Sequence, residues 1–170
     1  MHESADWPAW LPPFVEFNDY DRNWDRYLAA LYRFFKQDFV DSSPSFRGIN
    51  LGLKRHPYVD GKEATFWHFI TEGPEELARN PDFQRCKRIR WPRPVIENAD
   101  GSSIKIWENQ RRRGETRICL WFESQEYLVV LALRKNYLLP WTAYMVKEPH
   151  RQRKLQKEYE AAHRKANAAS

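Results

Sequence analysis

Between residues 21 and 40 apolar side chains recur at Trp24, Tyr27, Leu28, Leu31, Phe34, Phe35 and Phe39. This three-and-four spacing gathers one face of an α-helix, and Asp21 stands where it can cap the first turn. The pattern breaks at Ser42-Ser43-Pro44-Ser45, a stretch too short to separate two domains. Two short apolar segments, 49–55 and 64–71, then flank His56-Pro57 and Asp60-Gly61. They predict a hairpin, because Pro57 has no N–H to give a ladder and Asp-Gly favours a tight turn. A second helix is predicted from about 74 to 85, entered through Gly73-Pro74 with Glu75 and Glu76 at the positive end of its dipole, and interrupted near Asn80-Pro81. It stops before Trp91-Pro92-Arg93-Pro94, where two prolines predict an extended path.

Four strands are legible beyond residue 100, at 103–109, 116–123, 127–134 and 137–146, separated by short polar turns. Turns this short join only antiparallel neighbours, so the strands form a meander. The run 128–133 is apolar at every position, which predicts a central strand covered on both faces, with the two preceding helices over one of them. Pro140 demotes the last strand to an edge or a bulge, and that edge is a candidate contact between copies of the chain. Residues 150–165 read as a charged helix anchored by Leu155 and Tyr159, and the alanine-rich tail 166–170 is expected to fray. At the other end Trp7-Pro8, Trp10 and Leu11-Pro12-Pro13 predict an extended cover over 1–20. The fold class expected is α+β: N-terminal helices packed on a four-stranded antiparallel meander, with an additional short hairpin and a C-terminal helix, all within one domain at 21–165.

Composition agrees with a packed core, since 42% of the 170 residues are hydrophobic and 15% aromatic. No apolar run approaches the ~20 residues that cross a bilayer. The acidic start, Met1 to Asp6, lacks the order of a signal peptide, so the expected place is the cytosol, with no membrane partner. Cys86 falls in a predicted helix and Cys119 in a predicted strand, neither in a CxxC or CxxH pairing, as expected of two buried, reduced thiols.

Net charge is +5, unevenly placed. Residues 1–41 hold four basic and eight acidic side chains, 42–99 ten and seven, and 100–170 fourteen and eight, so the balance runs from −4 through +3 to +6. Clustered cations attract phosphate polyanions, which makes RNA the leading partner; a merely soluble basic surface is the plain alternative.

No Walker loop, dinucleotide fingerprint, His-Glu-x-x-His or EF-hand loop is present, only six glycines are available to cradle phosphate, and no ligand pair has metal spacing. No cofactor and no metal are therefore expected. What remains suits attack on RNA. Cleavage there needs a base for the 2′-hydroxyl proton, an acid for the leaving 5′-oxygen and cations for the crowded phosphorane. Histidine serves the first two tasks near neutrality, and the arginine fork serves the third. His68, among the aromatics of Thr65-Phe66-Trp67-His68-Phe69, is either such a base or a satisfied core histidine. His56 follows Lys54-Arg55 at a strand end, where an ordinary loop histidine is the alternative. Arg85, Lys87, Arg88, Arg90 and Arg93 surround Trp91, a mixture of cations and an aromatic that single-stranded RNA uses, although a solvated helix end has the same composition. Arg111-Arg112-Arg113 sits in a turn as a general attractor of RNA. Arg134 closes the central strand, and Thr142 and Tyr144, two apart, share a face.

The run from Tyr127 to Arg134, then Trp141-Thr142-Ala143-Tyr144-Met145-Val146, then a charged helix with Arg151, Arg153, Lys154 and Leu155, resembles the C-terminal half of the barnase, EndoU, colicin-nuclease and RelE superfamily of ribonucleases, especially its phage-encoded branch. The resemblance covers about the last hundred residues, as a pattern of elements more than a motif. It implies helices before a four-stranded antiparallel sheet and RNA cleavage by transphosphorylation, leaving a cyclic phosphate. It also implies Thr142 as the hydroxyl that positions phosphate, Tyr144 as its aromatic neighbour, His68 as the upstream histidine, and Arg134 or Arg90 as the transition-state cation. A toxin-like effector of this kind admits a cognate inhibitor protein as partner. A non-catalytic RNA-binding or protein-interaction module is the competing expectation. The N-terminal aromatic segment and Pro140 have no counterpart in the resemblance.

Overall fold

The computed structural model describes residues 7–169. Helix α1 (Trp24–Phe35) buries Tyr27, Ala30, Leu31 and Phe35, and runs on through a π-turn at Lys36–Val40. Its cap is Asn23, whose side chain accepts from the Arg26 N–H, and not Asp21. Asp21 instead closes the short 3-10 turn Phe17–Tyr20 in the left-handed region and pairs with Arg26. Ahead of this, Leu11 and Val15 are buried, and Trp7 and Phe14 pack against Trp91. The part of the expected N-terminal cover at 1–6 lies outside the described residues.

Strands β1 (Ser45–Phe46) and β2 (Ile49–Asn50) form a minimal hairpin through Arg47 and Gly48, both at positive φ. The Asp60-Gly61 turn forms where the sequence placed it, with both residues at positive φ and Val59 and Lys62 exchanging backbone bonds. The segment after it corrects the sequence reading. Residues expected as a strand at 64–71 form helix α2 (Ala64–Ile70) instead. Every residue of α2 except Trp67 is buried, and a helix that is apolar all round satisfies its own backbone where no ladder partner exists. Strand propensity yields to that demand.

The helix expected from Pro74 starts later. Strands β3 (Thr71–Glu72) and β4 (Asn80–Pro81) pair across the intervening turn, and helix α3 (Phe83–Cys86) follows with Asp82 accepting from the N–H groups of Gln84 and Arg85. Trp91-Pro92-Arg93-Pro94, expected to be extended, opens helix α4 (Pro92–Asn98). Both prolines fall in its first turn, where their missing N–H groups have no intrahelical partner to lose.

Strands β5 (Lys105–Gln110), β6 (Thr116–Phe122), β7 (Tyr127–Leu133) and β8 (Leu138–Met145) form one antiparallel sheet in the order β5-β6-β7-β8. The architecture is α+β, with helices before and after this meander. Strand β7 is internal and buried through Ala132. One face packs on an aromatic core with Leu31, Phe35, Phe66, Phe69, Ile96 and Val129. The second face, with Trp107, Cys119, Trp121, Leu128 and Val130, receives helix α5 (Pro149–Ala169) through Leu155, Tyr159 and also Ala162. Helix α5 extends to Ala169 through the alanine-rich segment, as the helix propensity of alanine favours, and Ser170 lies outside the described residues. No described helix is long and apolar enough to cross a membrane.

Pro140 sits in an edge strand beside a bulge, the two places open to a residue without a donor. The register slips between Val130, opposite Thr142, and Leu131, opposite Pro140, which leaves Trp141 as the extra residue. The outer edge of β8 is not free for a second copy as expected. Gly52 donates to the Leu138 carbonyl at 2.8 Å, and His68 Nδ1 lies 3.3 Å from the Trp141 carbonyl.

Candidate functional site

The register assembles the second sheet face in rows. Lys105, Trp121, Leu128 and Tyr144 lie across from one another, then Trp107, Cys119, Val130 and Thr142, then Asn109, Arg117 and Ala132. Thr142 and Tyr144 therefore share this face, as their spacing requires. Helix α5 packs along β5; its first half is tied to the β7–β8 side by Gln152, which donates to Glu126 and the Val146 carbonyl, and a cavity lies beside that contact.

One guanidinium gathers the sequence candidates at the edge of this face. Arg85, held on α3, donates from Nη1 to the His68 carbonyl at 3.1 Å, the Thr71 carbonyl at 2.9 Å and Thr142 Oγ1 at 3.2 Å. Its guanidinium carbon also stands 5.3 Å from the Tyr144 ring centre. His68 enters from α2, not from a strand, and is only 6% exposed. Its Nε2 donates to Glu76 at 2.8 and 3.0 Å. Burial pushes the His68 pKa down, while Glu76 and the Trp141 carbonyl offset part of that effect and Arg79 adds to it. In the neutral ring Glu76 orients the Nε2–H, and Nδ1 carries the lone pair, facing the Trp141 carbonyl. Burial raises the pKa of Tyr144, while Arg85, Arg151 and Arg111 pull the other way; its phenol keeps its proton at neutral pH.

Trp141, the extra residue of the bulge and half-buried against the second-face cluster, is the second centre. Arg117 lies 4.4 Å from its ring centre, Lys54 5.4 Å and Arg134 6.0 Å. Cations near an indole ring at such distances are attracted by its quadrupole. Arg134 also donates to Glu115 at 3.1 Å and Arg117 to the same carboxylate at 3.0 Å. Against the upward push of burial, these two arginines hold the Glu115 carboxyl below its usual range. Arg134 is thus joined to the Arg85 cluster through Trp141, whose carbonyl faces His68.

The basic run after residue 84 does not form the RNA platform expected of it. Trp91 is fully buried, donates to the Pro12 carbonyl and stacks on Phe14, so no base can reach its ring. Arg88 is 6% exposed and spends its guanidinium on Gln84, Phe14 and Trp91. Arg90 lies over Phe34, and Arg93 donates to the Asp38 carbonyl and Ser42. A helix–loop–helix inside the fold fans these side chains to several sides. His56 is exposed and packs edge-on against Tyr58, apart from the Arg85 cluster. Arg112 and Arg113 are exposed in the β5–β6 turn, and Arg111 reaches the α5 cavity.

Glu76, Arg117 and Trp141 join the candidate cluster without having been singled out from the sequence, and Arg85, grouped there with the basic run, meets His68 and Thr142 instead. Alternation along β6 puts Arg117 with Cys119 and Trp121 on the second face, a signal sufficient to find it. Glu76 offered none, since its meeting with His68 depends on α2 being a helix. Comparison with known proteins gives no matching family model, no matching curated protein and no matching solved structure.

Proposed function

We propose that this chain is a metal-independent endoribonuclease of the cytosol. It holds single-stranded RNA against the open part of the second sheet face and cuts it by attack of the 2′-hydroxyl on the adjacent phosphodiester. The observation that carries this reading is the guanidinium of Arg85, which joins His68, Thr142 and Tyr144 from separate elements. A base oriented by a carboxylate, a positioned hydroxyl and fixed cations are the parts this chemistry needs. In the step, the 2′-oxygen bonds to phosphorus and its proton passes to His68 Nδ1. The bond from phosphorus to the 5′-oxygen breaks, and Tyr144 supplies that oxygen with a proton. Thr142 positions the phosphate, and Arg85 and Arg134 take up charge developing on the phosphorane. Entry of the 2′-hydroxyl requires the Trp141 carbonyl to part from Nδ1. Both cysteines are buried and unpaired, with thiol pKa values pushed up to about 12, in keeping with a reducing compartment.

A second reading, RNA holding without cleavage, is favoured by the burial of His68 and by the Trp141 carbonyl that stands against its Nδ1. A labelled RNA strand incubated with the protein in EDTA and resolved on a denaturing gel separates the two. The nuclease reading expects fragments that disappear with His68→Ala and with Thr142→Ala while RNA binding persists. Intact RNA, bound in a salt-sensitive way, leaves the holding reading alone.

A further inference from the structure

A cavity of about 300 Å³ lies between the second sheet face and the first half of α5. Its floor is apolar, formed by Cys119, Leu128, Val130 and Leu155. Its rim is cationic: Arg111 comes from the β5–β6 turn, and Arg151 and Lys154, three apart on α5, point to the same side. Among the described residues none of these three side chains makes a hydrogen bond or an ion pair. The one carboxylate at the rim, Glu158, already accepts from Asn109 Nδ2 at 3.2 Å. Like charges gathered on one rim repel one another, and an anion entering between them relieves that repulsion, most strongly at low salt because all three side chains are exposed.

The combination selects for a ligand with a flat apolar part and a phosphate. The volume stands at the small end of ligand pockets, about 300–1,000 Å³. Base against apolar or aromatic floor with phosphate on cations is the general mode of single-strand recognition. Tyr144 lines the cavity and also meets Arg85, so a nucleotide placed here is next to the Arg85 cluster. We propose that this cavity is a nucleotide subsite, in which Arg111, Arg151 and Lys154 take a phosphate and the floor of β6, β7 and α5 takes the base. The assignment deepens the RNA reading and rests on it for the source of the nucleotide, which is either one unit of an RNA strand or a free mononucleotide.

Calorimetric titration with adenosine monophosphate and, in parallel, adenosine tests the phosphate requirement. The wild-type protein should bind the monophosphate at least about tenfold more tightly, with a preference that shrinks as salt rises. Arg151 and Lys154 are exposed, so the double variant Arg151→Ala/Lys154→Ala should keep the melting temperature and lose that preference. Equal binding of the two ligands, no binding of either, or an unchanged preference in the double variant overturns the subsite. A labelled RNA strand tells the two sources apart: weakened strand binding in the double variant assigns the phosphate to the strand, and unchanged strand binding assigns it to the free mononucleotide. His68→Ala should abolish cleavage without touching monophosphate affinity, so failure of the nuclease reading and failure of the subsite are seen separately.

Discussion

Replacing Arg85 with alanine probes the contact that unites α2, α3 and β8. The side chain is 13% exposed, and its loss removes the donor shared by the His68 carbonyl, Thr142 Oγ1 and the Thr71 carbonyl, of which the last keeps Arg79 Nη2 at 2.6 Å. A hydrogen bond from a charged donor is worth about 1.5–3 kcal/mol. The three acceptors divide one Nη1, so they count together as little more than one strong bond. The 3.4 Å ion pair with Asp82 goes as well, and a buried acceptor left alone adds a desolvation penalty. The expected cost is about 3 kcal/mol, which for a chain of this size lowers the melting temperature by about 6–12 °C. Urea unfolding followed by circular dichroism and tryptophan fluorescence reads the free energy directly. Arg85→Lys keeps the charge but not the planar fork, and should recover less than half of the loss. A change for Arg85→Ala within about 0.5 kcal/mol, the range of an ordinary surface substitution, would refute the role of this guanidinium as the tie across the β8 edge.

Other positions carry independent expectations. Trp91→Phe removes the bond to Pro12 and part of a filled core; it should cost about 1–3 kcal/mol in denaturant unfolding and leave RNA affinity unchanged, whereas a base-stacking role would make affinity fall. Burial raises the Asp38 carboxyl to about 6, against the pull of Arg90 and Arg93, from 3.8. The folded state therefore binds more protons than the unfolded state between about pH 4 and 6, and stability falls as pH rises through that window. Asp38→Asn should gain about 1 kcal/mol at pH 8, a figure reduced for partial exposure, and nothing at pH 3.5; equal gains at both pH values in melting experiments would contradict the burial argument. Arg112→Ala and Arg113→Ala should each lower the slope of log affinity for single-stranded RNA against log salt by about 0.7 if each meets one phosphate, and an unchanged slope would show that this turn does not touch RNA.

The β-meander was legible because its signals are local: alternation, short polar turns and an apolar run too dense for an exposed strand. The same alternation put Thr142 and Tyr144 on one face, and Pro140 announced the bulge that leaves Trp141 as the extra residue. Helix α2 was illegible because Thr65, Phe66, Trp67, Phe69 and Ile70 favour strands, and only the surrounding core, closed on all sides, decides for a helix. Helix α4 was missed for a different reason: paired prolines read as an extended segment, yet both fit a first turn. The candidate site was half visible. His68, Arg134, Thr142 and Tyr144 gather near Arg85 and Trp141, while the dense basic run around Trp91 points in several directions because α3 and α4 turn inside it. Nothing in residue spacing foretells that dispersal, which arises from Trp91 packing against Phe14 and Tyr127.

The central claim is that His68, Arg85, Thr142 and Tyr144 act together on a phosphodiester. Mass spectrometry of a short defined RNA after incubation with the purified protein in EDTA tests it most directly. The account predicts fragments ending in a cyclic phosphate, formed by the wild type and absent with Thr142→Val and with Tyr144→Phe. Full-length RNA recovered from the wild-type reaction, or the same fragments from both variants, would contradict it.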